Sequence, residues 1–150
     1  ARGSVIFSSP SGRALQTAMT VADVVAIEKS IIVDPDLMEI GMGSAEGMTQ
    51  TEMEKRWPVP QVVAENETMS LQSPDGESLE ALVKRLDRAL RRVANHHAVS
   101  RVVVSHGVAG RVIRALYLGL RTVEAFRLDA PQNALFRLSD GECTRILLPD

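Results

Sequence analysis

Three polar residues of this chain stand where chemistry is most easily done. Arg13 follows "VIFSSPSG" and falls in the first turn of a predicted helix. Glu39 lies in "DLMEIGMG", a stretch without helical or strand periodicity. His106 follows a run of three valines, in Ser105-His106-Gly107. A cation in a first helical turn opposes the macrodipole, whose positive end favours anions. Arg13 therefore reads as part of an anion site, because a guanidinium fork beside helix N–H groups suits a phosphate or a carboxylate. A histidine beside a phosphate stabilises charge, and a nearby glutamate gives or takes a proton. Taken singly, each has a plainer reading: Arg13 as a surface ion-pair partner, His106 as a capped strand-end histidine, Glu39 as a solvated loop carboxylate. Ser105 invites a nucleophile-elbow reading, but Val103 rather than glycine stands two residues before it.

The elements that must position these residues are legible in outline. Ser4–Ser8 reads as a buried strand, with Ser9 as N-cap and Pro10 at the first helical position. A helix to about Ile27 places Leu15, Met19, Ala22 and Val25 at helical spacing. Ile31–Val33 reads as a short second strand, and 36–49 as a loop. Thr49–Trp57 reads as a short helix ended by Pro58, and 58–75 as irregular chain. Gly76-Glu77-Ser78 reads as a turn and helix start, with the acid in the favourable first turn. The helix over 78–95 carries an apolar stripe of Leu79, Leu82, Val83, Leu86, Leu90 and Val93. Val102–Val104 has the β-branched run expected of a strand buried on both faces. Gly107 lets the chain turn into a helix over 108–120, a further short helix is predicted over 121–127, and Asp140-Gly141 signals a hairpin. The order predicts a three-layer α/β domain with a mixed, mostly parallel sheet. Sites in such sheets form outside the carboxyl ends of strands, so Arg13, Glu39 and His106 are candidates for one cleft.

Composition narrows the function classes. The 150 residues predict one domain, 1–150, and 45% hydrophobic content suffices for a core. A net charge of −2 excludes a nucleic-acid binder that works by bulk positive field. The single cysteine, Cys143, excludes an internal disulfide and a cysteine-cluster metal site, fits a reducing compartment, and reads as structural. His96 and His97 read as exposed at a helix end. No apolar run approaches the roughly 20 residues of a membrane span. The expectations are a cytoplasmic protein without metal, nucleic-acid or membrane partner, and a homo-oligomer stays open.

Together "VIFSSPSGRALQTA", "DPDLMEIGMGSAEGMT", "PDGES" and "VVVSHGVAGRVIRAL" resemble, in order and spacing, the histidine phosphatase superfamily. This is the branch that includes the cofactor-dependent phosphoglycerate mutases and many small phosphatases. "PQNALFRL" looks like the family's closing strand. The resemblance implies a phosphoglycerate mutase-like α/β/α sandwich. It implies that Arg13 binds phosphate, and that His106, with Gly107 beside it, hydrogen-bonds the phosphoryl oxygens. It implies that Glu39 protonates the leaving oxygen and later deprotonates the attacking water. The family works through a phosphohistidine and needs neither metal nor cofactor. The substrate would be a phosphorylated small molecule or a phosphoprotein. The short span from Met42 to "GES" favours a phosphatase over a mutase-type phosphotransferase.

The chain departs from the family at its start. It has no strand ending in arginine-histidine-glycine, the motif that supplies the nucleophile, and no first family helix. The expectation is an N-terminally incomplete fold, inactive alone, whose absent strand lies between the strands at 5–8 and 102–105. The segment would be left out upstream, cleaved, or supplied by another chain; failing these, the two strands would close up directly. The alternatives are an inactive phosphate-binding or regulatory module, and a structural subunit that assembles through a bare strand edge.

Overall fold

The first strand is buried almost throughout, and its side chains enter two different apolar clusters in alternation, which sets the layers. In the structure, a computed structural model that describes residues 3–25, 31–58 and 73–148, β1 spans Ser4–Ser8. Val5 and Phe7 point into one apolar cluster and Ile6 into another. This is the period-2 pattern of a strand covered on both sides. β1 pairs in parallel with β2 (Ile31–Val33) on one edge and with β3 (Ser100–Val104) on the other, giving the order β2-β1-β3. The Ile6 face is covered by α1 (Gly12–Val25), which approaches closely through Ala18 and Ala22.

After the short helix α2 (Gln50–Arg56), the helices α3 (Leu79–Asn95) and α4 (Gly107–Tyr117) cover the opposite face. Leu82 and Leu86 of α3 are fully buried there, and burying each such side chain contributes about 1.5–3 kcal/mol. Helix, sheet and helix pair make the expected three-layer α/β architecture. β4 (Ala134–Ser139) and β5 (Glu142–Leu147) turn at Asp140-Gly141, both at positive φ, into an antiparallel hairpin. The hairpin forms its own two-stranded sheet rather than extending the parallel one. It is tied to α4 by the Arg114 guanidinium, 3.8 Å from the centre of the Phe136 ring, and Leu138, half-buried, packs against the core.

Four expectations are corrected. No strand intervenes between β1 and β3: Ser4 pairs with Ser100 and Ser8 with Val104, in continuous register. Strands that already exchange hydrogen bonds leave no slot between them. Among the described residues the sheet's unpaired edges are the outer sides of β2 and β3, and Val102–Val104 on the β3 edge are half-buried rather than enclosed on both faces. Second, α1 begins at Gly12, not Pro10. Ser11 supplies the carbonyl that receives the Ala14 and Leu15 N–H groups, while Ser9 is fully buried below the helix. Third, α1 buries Ala14, Ala18 and Ala22 and leaves Met19 59% exposed, because only methyl groups fit where helix and sheet approach most closely. Fourth, Glu77 precedes α3, whose N-cap is Ser78. The proposed helix end at 26–27 and nearly all of the irregular 58–75 stretch lie outside the described residues.

Candidate active site

The carboxyl ends of β1, β2 and β3 all lead into one open cleft of about 300 Å³. Arg13, Glu39, His106 and Gly107 line it together with Ala14, Thr17, Val104 and Ser105. The structure thus brings all four residues singled out from the sequence into one site. Each arrives by a different route. Arg13 projects from the first turn of α1, directly after β1. Glu39 follows β2 through a single 3-10 turn at Pro35–Leu37, entered through Asp34, whose side chain accepts the Asp36 N–H. His106 is the residue before α4, and Gly107 the first residue of that helix.

The Arg13 and His106 side chains touch. Arg13 Nη2 lies 3.1 Å from His106 Nδ1. A guanidinium only donates, so Nδ1 accepts and the ring proton sits on Nε2. From there it is donated to Ser9 Oγ, 2.8 Å away. Arg13 therefore sets the tautomer of His106, and Ser9 holds the other side of the ring. The sequence marked Ser9 only as a helix N-cap at the end of a strand, not as a partner of His106. Partial burial, chiefly, holds the His106 pKa below its ordinary 6.5, and the positive charges of Arg13 and Arg85 push the same way against the opposing pull of Glu39. The histidine is thus neutral near neutral pH, as the hydrogen bond from Arg13 requires.

That shift fixes a sign. The unfolded state binds this proton at higher pH than the folded state, so stability rises with pH through the window. The contribution is fully present above pH 6.5 and is lost as pH falls through the lower folded value. In an NMR titration the His106 ring is expected to titrate below 6.5, and Arg13→Ala is expected to raise its midpoint. A midpoint above 6.5 in the unsubstituted protein would contradict the neutral, Arg13-bonded ring.

Glu39 is not a solvated loop carboxylate. Its two oxygens accept the Val108 N–H at 3.1 Å and the Ala109 N–H at 2.9 Å, at the N-terminus of α4. These donors have no partner within the helix, and the macrodipole favours an anion there. The Gly107 N–H is left without an acceptor among the described residues. Gly107 itself has no left-handed backbone, and a Cβ there would come no nearer than 3.8 Å to a Glu39 oxygen. The turn expected of it is therefore made without a left-handed backbone. Ser105, excluded as a nucleophile from its sequence context, donates its hydroxyl to the Leu37 carbonyl at 2.8 Å. That bond ties the Glu39 loop to the strand that delivers His106.

The remaining histidines stand elsewhere. His96 and His97 precede β3 and stack on one another, with His96 edge-on to Phe7, and neither lines the cleft. Among the described residues no group of three or more His, Cys, Asp or Glu side chains is placed to hold a metal ion. No described helix is long and apolar enough to cross a membrane. The cleft offers a guanidinium, an imidazole, the Gly107 N–H and one carboxylate. These are the parts needed to hold a small dianion and move a proton beside it.

Comparison with known proteins points the same way. A family model described as histidine phosphatase superfamily (branch 1) matches residues 1–147. The probable phosphoglycerate mutase GpmB of Yersinia pestis is 34% identical over 141 residues, which cover 91% of this chain and 63% of that protein. The bifunctional protein Rv2228c of Mycobacterium tuberculosis is 31% identical over 134 residues, 89% of this chain and 33% of that protein. The chain therefore spans from about a third to just under two thirds of the length of these relatives. Among solved structures, the alpha-ribazole phosphatase of Shigella flexneri superposes with a TM-score of 0.75 at 18% identity, covering 96% of this chain and 72% of that one. The mycobacterial glucosyl-3-phosphoglycerate phosphatase Rv2419c superposes with a TM-score of 0.71 at 22% identity, covering 95% of this chain and 74% of that one. At these identities the superpositions establish the fold.

Proposed function

The chain belongs to the histidine phosphatase superfamily (branch 1), and from that premise we propose that it is the bulk of a phosphatase that hydrolyses phosphomonoesters through a phosphohistidine. The observation that carries this reading is the convergence of Arg13, His106 and Glu39 on one cleft from three separate strand ends. Arg13 and His106 bind the phosphoryl oxygens, together with the Gly107 N–H. In the first step a histidine ring nitrogen attacks phosphorus. The P–N bond forms as the ester P–O bond breaks, and the Glu39 carboxyl gives its proton to the leaving oxygen. In the second step a water attacks the phosphohistidine and the Glu39 carboxylate takes its proton. The P–N bond breaks, and inorganic phosphate and the free histidine are restored.

In this reading the nucleophile comes from outside these 150 residues, since neither His96 nor His97 lines the cleft. The unpaired outer edge of β3 supports an entry point. That edge ends at Val104, just before Ser105 and His106, so a parallel strand added there would present its carboxyl end to the cleft. The substrate is a phosphorylated small molecule or a phosphoprotein side chain. The same nucleophile gap favours a second reading, a phosphate-binding module that forms no phosphohistidine.

Hydrolysis of para-nitrophenyl phosphate in EDTA, by the protein expressed from its complete gene, separates the readings. The phosphatase reading expects EDTA-resistant turnover with release of inorganic phosphate, reduced about 100-fold or more by His106→Ala. Turnover abolished by EDTA or indifferent to His106→Ala would overturn it. Orthovanadate binding without turnover would favour the binding module. Transfer of the phosphoryl group between phosphoglycerate positions would assign a mutase-type phosphotransferase.

A further inference from the structure

We propose that Arg85 and Glu77 act as a positioning pair for Glu39, clamping the 36–41 backbone so that the Glu39 carboxylate stays at the N-terminus of α4 beside the cleft. This rests on the acid–base reading of Glu39 given above. All five N–H donors of the Arg85 guanidinium are used, and three of them reach the loop rather than the partner acid. Nε and one Nη2 proton grip Glu77 at 2.6 and 2.7 Å. Nη1 donates to the Asp36 and Met38 carbonyls at 2.8 and 2.7 Å, and Nη2 to the Glu39 carbonyl at 3.0 Å. Glu77 completes the clamp from the other side. Its Oε2 accepts the Gly41 N–H at 3.2 Å, and its own N–H donates to the Gly41 carbonyl at 2.7 Å.

An ion pair that served only stability would need the two bonds between its partners. Here the additional bonds all fall on backbone groups flanking Glu39, in a loop that has no ladder of its own to satisfy them. The pair is largely sequestered, with side-chain exposures of 14% and 19%, so water competes weakly for these bonds. The hydrogen bond from Arg85 holds the Glu77 carboxyl below its ordinary pKa, which keeps the clamp charged. A lysine has three donors on a point charge and cannot reproduce a planar five-donor fork. The far end of the loop is anchored independently. Ser44 donates its N–H and hydroxyl to Asp75, and Gly43, at φ +54°, has no room for a Cβ against the Asp75 backbone. Loss of the clamp therefore displaces the Glu39 segment locally rather than releasing the whole loop.

The test compares Arg85→Lys, Glu77→Gln and Glu39→Gln in the protein expressed from its complete gene. Two phosphomonoesters are used: an alkyl phosphate, whose leaving oxygen needs a proton, and para-nitrophenyl phosphate, whose phenolate leaves unaided. The two clamp variants are expected to lose about 10- to 100-fold in kcat/KM on the alkyl ester and only about threefold on the aryl ester. Amide hydrogen exchange at Val108 and Ala109 is expected to quicken in both, because the Glu39 carboxylate no longer covers those groups. Equal losses on both esters, or unchanged exchange at Val108 and Ala109, would overturn the proposal. If Glu39→Gln shows no leaving-group dependence, the acid–base reading of Glu39 fails, and the exchange measurement still decides whether the clamp holds it. Should Arg85→Lys not fold, the isosteric Glu77→Gln carries both measurements.

Discussion

Arg13→Ala is expected to lower kcat/KM for phosphomonoesters by about 1,000-fold, the scale on which a transition-state arginine acts in phosphoryl transfer. Stability is expected to move little, within about 0.5 kcal/mol, because Arg13 is an exposed residue outside both core clusters. Removing it also relieves an unfavourable cation at a helix N-terminus. A large chemical loss with almost no structural cost separates an anion-binding arginine from a surface ion-pair partner. Arg13→Lys is expected to recover only a small part of the loss, since an ammonium cannot bond phosphate bidentately. The checks are steady-state kinetics and thermal unfolding of the same preparations. A loss under about tenfold would return Arg13 to the ordinary surface.

Glu39→Gln is the second large effect. A glutamine carbonyl oxygen still accepts from the Val108 or Ala109 N–H, so the cap on α4 survives in part. The loss of negative charge at that helix end costs about 0.3–1 kcal/mol. The amide carries no transferable proton, and turnover of an alkyl phosphate is expected to fall by about 100- to 10,000-fold. Stability and activity therefore diverge again, this time at a half-buried residue. Circular dichroism melting and initial rates on the alkyl ester check both halves. A protein that loses several kcal/mol of stability but keeps its rate would make Glu39 a helix cap and nothing more.

Much of this was legible in the chain, for physical reasons that differ by element. β1, β2 and the α3 stripe were plain because bulky apolar side chains repeat at the strand or helix period, and the α3 core at Leu82, Leu86 and Val93 follows that stripe directly. The Asp140-Gly141 turn was plain because positive φ at successive residues leaves few side-chain choices. α1 was misread by one face, since hydrophobicity ranks Met19 above Ala18, whereas close helix–sheet approach selects the alanine. Arg13, Glu39 and His106 could be placed in one cleft from the sequence because each follows a strand. The residues that hold them were not found. Ser9 acts through one hydroxyl, and Arg85 is one of several cations on α3, distinguished only when the 36–41 loop folds back over it. The partners of such residues are distant in sequence, and no local pattern announces them. Unpaired edges were expected on the facing sides of β1 and β3, whereas those strands pair with each other and the free side of β3 faces outward, because strand order is a tertiary property that the succession of elements leaves open.

The central claim is that this cleft serves transfer of a phosphoryl group to a histidine and then to water. The most direct measurement is alkaline trapping during turnover with a labelled phosphomonoester, followed by peptide mapping of the protein expressed from its complete gene. The account predicts a base-stable, acid-labile phosphoramidate on one histidine that is neither His96, His97 nor His106, formed at a reduced rate in Arg13→Ala. Label on a serine, a cysteine or one of those three histidines, or steady turnover with no protein-bound phosphate, would contradict it.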